Sequence, residues 1–369
     1  MKWQARLGAS AVLLWVLTGP AFQSAADGPS HEPTRGSEAS LRALYAGPVS
    51  GWPPAIVDNR DGFVEFGALQ PLVAADAAKA ALGERLFHDP LLSRNADMAC
   101  ATCHDPKLGW SNGAAIAVGA DRGHGARNVP SLFSAAYRQR WGWDGRGASL
   151  AAQSLRPLTD SYEMANSDVE TVLSRLGGRE DYKNAFSAAY GDPALSADRL
   201  AGALVAFQVG LEEPTRFDAF LRGDHSQLTE QEIQGLHLFR TKARCANCHF
   251  GPLLTDERFH NLGLSAFREK SQDLGRYNVT GRAEHAGQFR TPSLRHVGQT
   301  APYMHSGLFA SLEGVVRFYV RGGGEVWARN EREARLPLYA DVARIAPFIH
   351  PLELSADEQA ALVAFLRAI

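Results

Sequence analysis

The stretches "CATCHDP" (100–106) and "CANCHFG" (245–251) contain all four cysteines of this 369-residue chain. In each stretch a Cys-x-x-Cys pair is followed directly by a histidine. Zinc is one candidate for paired cysteines, but these pairs lie too far apart for a compact zinc ribbon, and a histidine next to the second cysteine is unusual there. A redox dithiol would explain one pair, but not two pairs with identical histidines.

Cys-x-x-Cys-His is also the attachment sequence of a c-type haem, in which the thiols bond to two vinyl groups and the histidine binds the iron. This interpretation explains both copies and leaves no cysteine over. The sequence therefore predicts two covalently bound haem c groups. Their attachment residues are Cys100, Cys103 and His104 for the first haem, and Cys245, Cys248 and His249 for the second.

Composition and the first residues indicate where the protein works. Apolar residues make up 45% of the chain and the formal net charge is −2, which is ordinary for a soluble globular protein and predicts no nucleic-acid partner. Residues 1–26 begin with Lys2 and Arg6, continue with an apolar run too short to span a bilayer, and end in small residues. This pattern predicts a cleaved signal peptide, export to the periplasm and no membrane span in the mature chain.

The sequence around the first motif recurs around the second. Both copies end in a capped amphipathic helix, and Thr229 and Glu232 form a capping box before the second motif. Few segments alternate as strands do. We therefore expect a mainly α fold with two tandem cytochrome c-like haem domains and long loops. The repeated pairs are "LGERLF" (82–87) with "QGLHLF" (234–239), "RNVPSL" (127–132) with "RTPSL" (290–294), "GRGASL" (145–150) with "GLFASL" (307–312), and "LSADRLAGALVAF" (195–207) with "LSADEQAALVAF" (354–365).

The repeat suggests how the chain is divided. After the signal peptide, residues 27–72 contain proline and glycine and are expected to wrap the surface as a leader segment. Residues 73–224 then form the N-terminal haem domain and residues 225–369 the C-terminal one. The charge-mixed stretch 267–288 is expected to be a long loop.

The repeat also aligns the second axial positions of the two haems. Aligning Leu150 with Leu312 places Pro157 opposite Tyr319. Proline has no donor atom for iron, whereas tyrosine has an oxygen. The first iron is therefore expected to have a vacant site.

Tyr319 lies in "SLEGVVRFYV" (311–320), where helical spacing puts it on one face with three apolar residues. It is either a ligand of the second iron or a packing aromatic. Met304 and His305 in "PYMHSG" are the rival ligands, and methionine is the commoner partner of histidine in electron-carrying cytochromes.

These motifs resemble those of the bacterial di-haem cytochrome c peroxidases, and more closely those of the MauG branch of that family. The resemblance covers nearly all of the mature chain and implies that peroxide reacts at the N-terminal haem. The matching stretches are "LGERLFHDPLLSRNADMACATCHDP" (82–106), "RNVPSL" (127–132), "WGWDGRGASLAAQSLRPLTDSYEM" (141–164), "RFHNLGL" (258–264) and "RTPSLRHVGQTAPYMHSG" (290–307).

The resemblance implies roles for single residues. Gln153, Pro157 and Glu163 match the distal pocket of the first haem. Peroxide cleavage needs a vacant iron, a group that moves a proton and a hydrogen-bonding contact. Pro157 leaves the iron vacant, Glu163 can move the proton, and Gln153 can make the hydrogen bond. Trp143 matches the tryptophan between the haems, and Tyr319 falls where the peroxidase branch has methionine and MauG has a tyrosine ligand.

The resemblance also implies a calcium ion between the domains, with Asn128, Thr300 and Pro302 as its ligands. Two positions depart from family patterns. The main peroxidase branch has a histidine that blocks the first iron before reductive activation, and Ala120 stands there, although His124 lies four residues further on. MauG proteins that modify a partner protein have a surface tryptophan where this chain has Ala243.

Three functions follow. The first is a periplasmic peroxidase that reduces hydrogen peroxide with electrons from a small cytochrome c or cupredoxin. The second is MauG-like oxidation of a specific protein substrate, which Tyr319 and Ala120 favour and Ala243 disfavours. The third is a plain di-haem electron carrier, which needs no vacant iron.

Overall fold

The structure is a computed structural model that describes residues 40–369. This part of the chain is mainly helical and contains one two-stranded antiparallel sheet, as the sequence predicts. The predicted signal peptide and residues 27–39 of the leader lie outside the described residues. Within residues 40–369, no helix has the length and apolar character needed to cross a membrane.

The helices are joined by long loops with short 3₁₀ turns. Strand β1 (Phe259–Asn261) pairs antiparallel with β2 (Gln288–Arg290). Stretch 267–288, expected to be a loop, contains a short helix (Tyr277–Thr280), a 3₁₀ turn (Ala283–His285) and the first residue of β2. In chain order the helices are α1 (Leu41–Tyr45), α2 (Ala77–His88), α3 (Cys100–Cys103), α4 (Leu150–Thr159), α5 (Val169–Gly177), α6 (Glu180–Tyr190), α7 (Ala197–Val209), α8 (Arg216–Leu221), α9 (Glu230–Arg240), α10 (Tyr277–Thr280), α11 (Leu312–Val320), α12 (Glu331–Ala334), α13 (Tyr339–Ala343) and α14 (Ala356–Leu366).

The predicted helix starts are confirmed. The Glu232 amide donates to Thr229 Oγ1 at 3.2 Å, and the Thr229 amide donates to the Glu232 carboxylate at 2.7 Å. This reciprocal capping box satisfies two amides that the first turn of α9 leaves free. Ser355 and Glu358 form the same reciprocal capping box at α14, whereas at α7 only one bond is made, from the Arg199 amide to the Ser196 side chain.

Each half is built on a pair of helices that touch at a glycine. A Cβ atom on Gly83 in α2 would lie 1.9 Å from the Ala203 oxygen in α7. A Cβ atom on Gly235 in α9 would lie 2.0 Å from the Ala361 oxygen in α14. The two glycines occupy matching places in "LGERLF" and "QGLHLF", so the sequence repeat is also a repeat of tertiary contacts.

The buried apolar residues form two clusters. One lies within residues 82–204. The other combines residues 217–369 with Tyr45, Trp52 and Phe66 of the leader. The described part of the leader therefore supplies aromatic side chains to the core of the C-terminal half, a contribution that the expected surface-wrapping segment did not include. The domain boundary at residue 225 stays a prediction.

Candidate functional site

A large and mainly apolar cavity encloses the second Cys-x-x-Cys-His motif. One wall is the face of α11 that the sequence predicts to cover this motif. The residues that line the cavity include Cys245, Cys248, His249, Leu312, Val315, Val316 and Tyr319. A flat apolar cofactor such as haem fits a space of this character, with the thiols and the histidine at its edge.

The two motif histidines are oriented by the same kind of hydrogen bond. His104 Nδ1 lies 2.9 Å from the Trp110 carbonyl oxygen, and His249 Nδ1 lies 2.9 Å from the Leu254 carbonyl oxygen. A carbonyl only accepts, so Nδ1 carries the proton and Nε2 is the nitrogen left to bind a metal. Burial lowers the pKa of both histidines, which favours the neutral form that metal binding requires.

The four cysteines are free thiols and none is part of a disulfide. Burial raises the pKa of Cys100 and that of Cys245 to about 12. Thiols that ionise so poorly are weak nucleophiles, which disfavours dithiol redox chemistry. The residues at both motifs thus fit thioether attachment of haem better than a redox dithiol.

Tyr319 is the polar group of α11 that faces the cavity of the second motif. Its pKa is raised by burial and further by the nearby Cys248 and Cys245 thiols. Among the described residues its hydroxyl makes no hydrogen bond, and the side chain is only partly buried. A phenol oxygen in this position fits an axial ligand of the second iron.

The two rival ligands also line this cavity. The His305 ring stacks on Phe289 with ring centroids 3.6 Å apart and planes 11° apart. Burial lowers the pKa of His305 to about 4. Met304 has a left-handed backbone conformation with φ of 70° and lies in the loop that precedes α11.

The expected distal residues of the first haem lie on α4 and just after it. Gln153 and Pro157 are one turn apart on α4 and so share a face. The Gln153 side-chain oxygen is buried without a hydrogen-bond partner among the described residues. Glu163 lies near the first motif, because its charge contributes to the raised pKa of both Cys100 and Cys103.

Burial raises the pKa of Glu163, and Arg156 opposes part of that effect. The Arg156 guanidinium is 3.4 Å from the Glu163 carboxylate but only 2.8 Å from that of Asp160. Glu163 is therefore loosely paired. A carboxyl group held in this way can accept and return a proton closer to neutral pH than an exposed glutamate.

The loop with Ala120 packs on the same segment. The Ala120 amide donates to the Glu163 carbonyl at 2.8 Å. A Cβ atom on Gly119 would lie 2.0 Å from the Tyr162 carbonyl oxygen, so only glycine permits this approach. Ala120 is buried, whereas His124 is exposed and pairs through its backbone with Val118.

Trp143 and the three expected calcium ligands are among the residues that line the large cavity. The Trp143 indole N–H donates to the Asn128 carbonyl at 2.9 Å. The side-chain nitrogen of Asn128, Nδ2, donates to the Ala114 carbonyl at 2.9 Å, which leaves the side-chain oxygen of Asn128 available to bind a metal ion. Oxygen atoms from Asn128, Thr300 and Pro302 are the type of ligand that calcium prefers.

Sequence reasoning missed the leader contact on the second motif. Asn247, one of the two residues between Cys245 and Cys248, donates to Asp58 at 2.6 Å and accepts from the Asp58 amide at 2.7 Å. Arg244 also pairs with Asp58. Nothing in the local pattern "VDNRDG" (57–62) signals this partner, because the contact joins segments far apart in sequence.

A second missed cluster contains Cys248, Asp256 and His260, whose ligand atoms lie within 4.8 Å of one another. His260 Nε2 is 2.7 Å from the Asp256 carboxylate. Cys248 is already assigned to haem attachment, so we do not assign a separate metal ion here. Ala243 is also informative, since it is 5% exposed and lines the cavity instead of the surface.

Known proteins share this sequence and fold. The family described as di-haem cytochrome c peroxidase matches residues 77–226. The methylamine utilization protein MauG of Methylophilus methylotrophus is 35% identical over 298 residues, which cover 79% of this chain and 82% of that protein. Cytochrome-c peroxidase IdrP1 of Pseudomonas sp. (strain SCT) is 32% identical over 350 residues, which cover 85% of this chain and 88% of that protein.

Two solved structures are similar over most of their length. A MauG-like protein associated with microbial copper homeostasis has a TM-score of 0.71 and 30% identity, with 83% of this chain and 93% of that chain covered. The diheme peroxidase BthA from Burkholderia thailandensis E264 has a TM-score of 0.67 and 25% identity, with 86% of this chain and 93% of that chain covered.

Proposed function

Because the chain belongs to the di-haem cytochrome c peroxidase and MauG family, whose members are oxidoreductases with two haem groups, we propose that it is a periplasmic peroxidase. It reduces hydrogen peroxide at the N-terminal haem site. Electrons enter at the C-terminal haem site from a small cytochrome c or cupredoxin. Each bound haem supplies a redox-active iron.

The observation that carries this proposal is Glu163, a partly buried carboxyl group with a raised pKa beside the first Cys-x-x-Cys-His motif. Hydrogen peroxide takes up two electrons and two protons and leaves as two water molecules. Glu163 would accept a proton from one peroxide oxygen and return it to the other. Gln153 would hold the peroxide by a hydrogen bond, and Pro157, which has no donor atom for iron, would leave the haem iron accessible to peroxide.

Trp143 is proposed to relay charge between the two haem sites. Its N–H donates to a backbone carbonyl, which is too weak a base to take the proton, so the indole keeps its hydrogen during the relay. Asn128, Thr300 and Pro302 are proposed to hold a calcium ion next to Trp143. Because Asn128 accepts the hydrogen bond of the Trp143 indole, the ion would also fix the segment that holds Trp143.

The proposal is tested by steady-state turnover with hydrogen peroxide and a reduced small cytochrome c. The Glu163→Gln variant is expected to lower kcat by about 100-fold or more, since general acid–base groups contribute about 10²- to 10⁴-fold. Glu170→Gln, at an exposed position in the first turn of α5, is the matched control. Absence of peroxide turnover in the unmodified holoprotein, even after partial reduction, would refute the proposal and favour a plain electron carrier.

A second candidate function is MauG-like oxidation of a protein substrate. Tyr319 in the cavity of the second haem favours it, because an anionic tyrosinate stabilises oxidised iron better than a neutral thioether does. The burial of Ala243 disfavours it, because this position presents no aromatic side chain to a docked protein. Peroxide consumption that persists without any small electron donor, together with modification of a co-purified protein, would support this alternative.

The resting state separates these readings further. With Ala120 in place of a blocking histidine, the oxidised protein is expected to show one high-spin and one low-spin signal in electron paramagnetic resonance. Both signals are expected to disappear together after one equivalent of hydrogen peroxide. Two low-spin signals that ignore peroxide would contradict an open first haem site.

A further inference from the structure

The cavity of the second haem contains a group of charged side chains that the proposed function does not use. A mainly apolar cavity is a costly place for a cation, so each one should have a partner. In the described part of the chain, four arginines line this cavity: Arg138, Arg244, Arg290 and Arg295.

Two of these arginines are fully accounted for by protein carboxylates. Arg244 pairs with Asp58 of the leader. Arg295 pairs with Glu212 at 2.5 Å and with Asp218 at 2.6 Å. Their charges are neutralised without any ligand.

The other two arginines bond only to backbone oxygens. Arg138 uses one guanidinium nitrogen, Nη2, to donate to two carbonyls at 2.6 and 3.3 Å. Arg290 donates from Nε to a carbonyl at 3.2 Å and from Nη1 to another at 3.0 Å. Neutral carbonyls satisfy donors but do not balance charge. Arg138 Nη1 and Arg290 Nη2 have no partner among the described residues.

The acid nearest to Arg290 does not balance its charge either. Glu257 lies 3.9 Å from Arg290, beyond hydrogen-bond distance, and its nearer oxygen is buried without a partner. Arg290 is 3% exposed. Burial and the nearby Arg290 charge together lower the pKa of Arg138 to about 9. The charges of Glu257, Asp256 and Glu212 act on the two guanidinium groups from a distance, but among the described residues no carboxylate lies within hydrogen-bond distance of either group.

The ligand expected in this cavity brings the missing anions. A haem c has two propionate carboxylates at the edge opposite its two thioether bonds. The planar fork of a guanidinium group matches a carboxylate with two parallel hydrogen bonds. We propose that Arg138 and Arg290 bind the propionate carboxylates of the haem attached to Cys245 and Cys248.

The site also links the two halves of the chain. Arg138 comes from the N-terminal half, and Arg290 ends β2 in the C-terminal half. The Arg290 amide donates to the Trp143 carbonyl at 2.8 Å, and Arg290 Nε donates to the neighbouring Gly142 carbonyl. Propionates held here place the acidic edge of the second haem beside Trp143. The inference rests on the proposed haem at His249, and it does not require that the protein turn over peroxide.

The test is the midpoint potential of each haem in the full-length holoprotein, measured by spectroelectrochemistry after confirming two haems per chain. The ferrous haem carries one positive charge less than the ferric haem, so a nearby guanidinium cation stabilises the ferrous state. Removing that cation therefore lowers the midpoint potential. For Arg290→Gln and for Arg138→Gln we expect the ferrous-to-ferric ratio of the second haem to fall about tenfold at a fixed potential, a shift of about 59 mV for one electron. The potential of the first haem should stay unchanged.

Two further variants make the result specific. The double variant Asp58→Asn/Arg244→Gln removes an ion pair of the same cavity without changing the net charge, and it should leave the second potential nearly unchanged. Arg290→Lys keeps the charge but loses the planar fork of the guanidinium group, so its second potential should stay close to that of the unmodified protein. If Arg290→Gln fails to fold, Arg138→Gln carries the test. Equal shifts in Arg290→Gln and in the Asp58→Asn/Arg244→Gln double variant, or no shift in either Arg290→Gln or Arg138→Gln, would overturn the inference.

This experiment separates the two proposals. A lowered second potential in a protein that never turns over peroxide would leave the propionate site standing and remove the peroxidase. Normal peroxide turnover with unchanged haem potentials in all variants would support the peroxidase and remove the propionate site.

Discussion

Replacing Gly235 by alanine tests whether each half of the chain positions its own haem. The added Cβ atom would lie 2.0 Å from the Ala361 oxygen and 2.7 Å from Phe365 Cβ. Ordinary contacts of this kind need about 3.4 Å or more, so α9 and α14 must move apart by more than an ångström. Both partners are helix backbone or sit close to it, so no flexible side chain can absorb the strain.

The expected cost is at the upper end of the range for overpacking a core, about 3 kcal/mol of the free energy of unfolding. Urea denaturation of the holoprotein measures it, with helix content followed by circular dichroism. Gly177→Ala is the matched control, because a Cβ atom on Gly177 at the end of α5 meets nothing within 4 Å. That variant should be neutral or slightly more stable, since alanine favours helix over glycine by up to about 1 kcal/mol.

The haem signals give the sharper readout. Since α9 leads directly into the second motif, Gly235→Ala should disturb the spectrum of the second haem and leave that of the first intact. Gly83→Ala, with a Cβ atom 1.9 Å from the Ala203 oxygen, should do the opposite. A stability loss below about 1 kcal/mol for Gly235→Ala, or equal disturbance of both haems by either variant, would refute the reasoning from these helix contacts.

Two other predictions concern the proposed site. Tyr319→Phe removes the phenol oxygen from the cavity, so the low-spin signal of the second haem should change its g-values or become high-spin. The control variant Met304→Leu should leave this signal unaltered. The reverse pattern would identify Met304 as the ligand. The raised pKa of Glu163 predicts that kcat/KM for peroxide rises with pH through an apparent pKa above that of an ordinary glutamate, because the carboxylate form must accept the first proton. Glu163→Gln should abolish this acid limb, and an unchanged pH profile in that variant would assign the limb to another group.

The residues that carry haem chemistry could be read from local sequence. Cys-x-x-Cys-His is a contiguous motif, and its histidine and thiols must lie close together whatever the rest of the chain does. The side-chain caps that start α7, α9 and α14 act within one turn, so they too are encoded locally. The expected amphipathic character of α14 was wrong, because consecutive residues from Ala361 to Val363 are all buried. The face of α11 with Tyr319 was predicted for the same reason and does line the cavity.

Other features depend on contacts between residues far apart in the chain. The leader gave only a turn-rich pattern, yet Tyr45, Trp52 and Phe66 complete the core of the C-terminal half. Ala243 gave no sign of its burial. Neither could be derived from spacing, because burial is decided by which distant segment packs on a residue.

The charges of the cavity show the division most clearly. The sequence by itself determined that the chain has two haem motifs, a helical repeat and a tyrosine opposite a proline, because each of these is set by residues within a few helical turns. Only the tertiary structure decided that Arg244 and Arg295 meet carboxylates while Arg138 and Arg290 do not. Ion pairing depends on distances of a few ångströms between side chains from separate segments, and no local pattern fixes those distances.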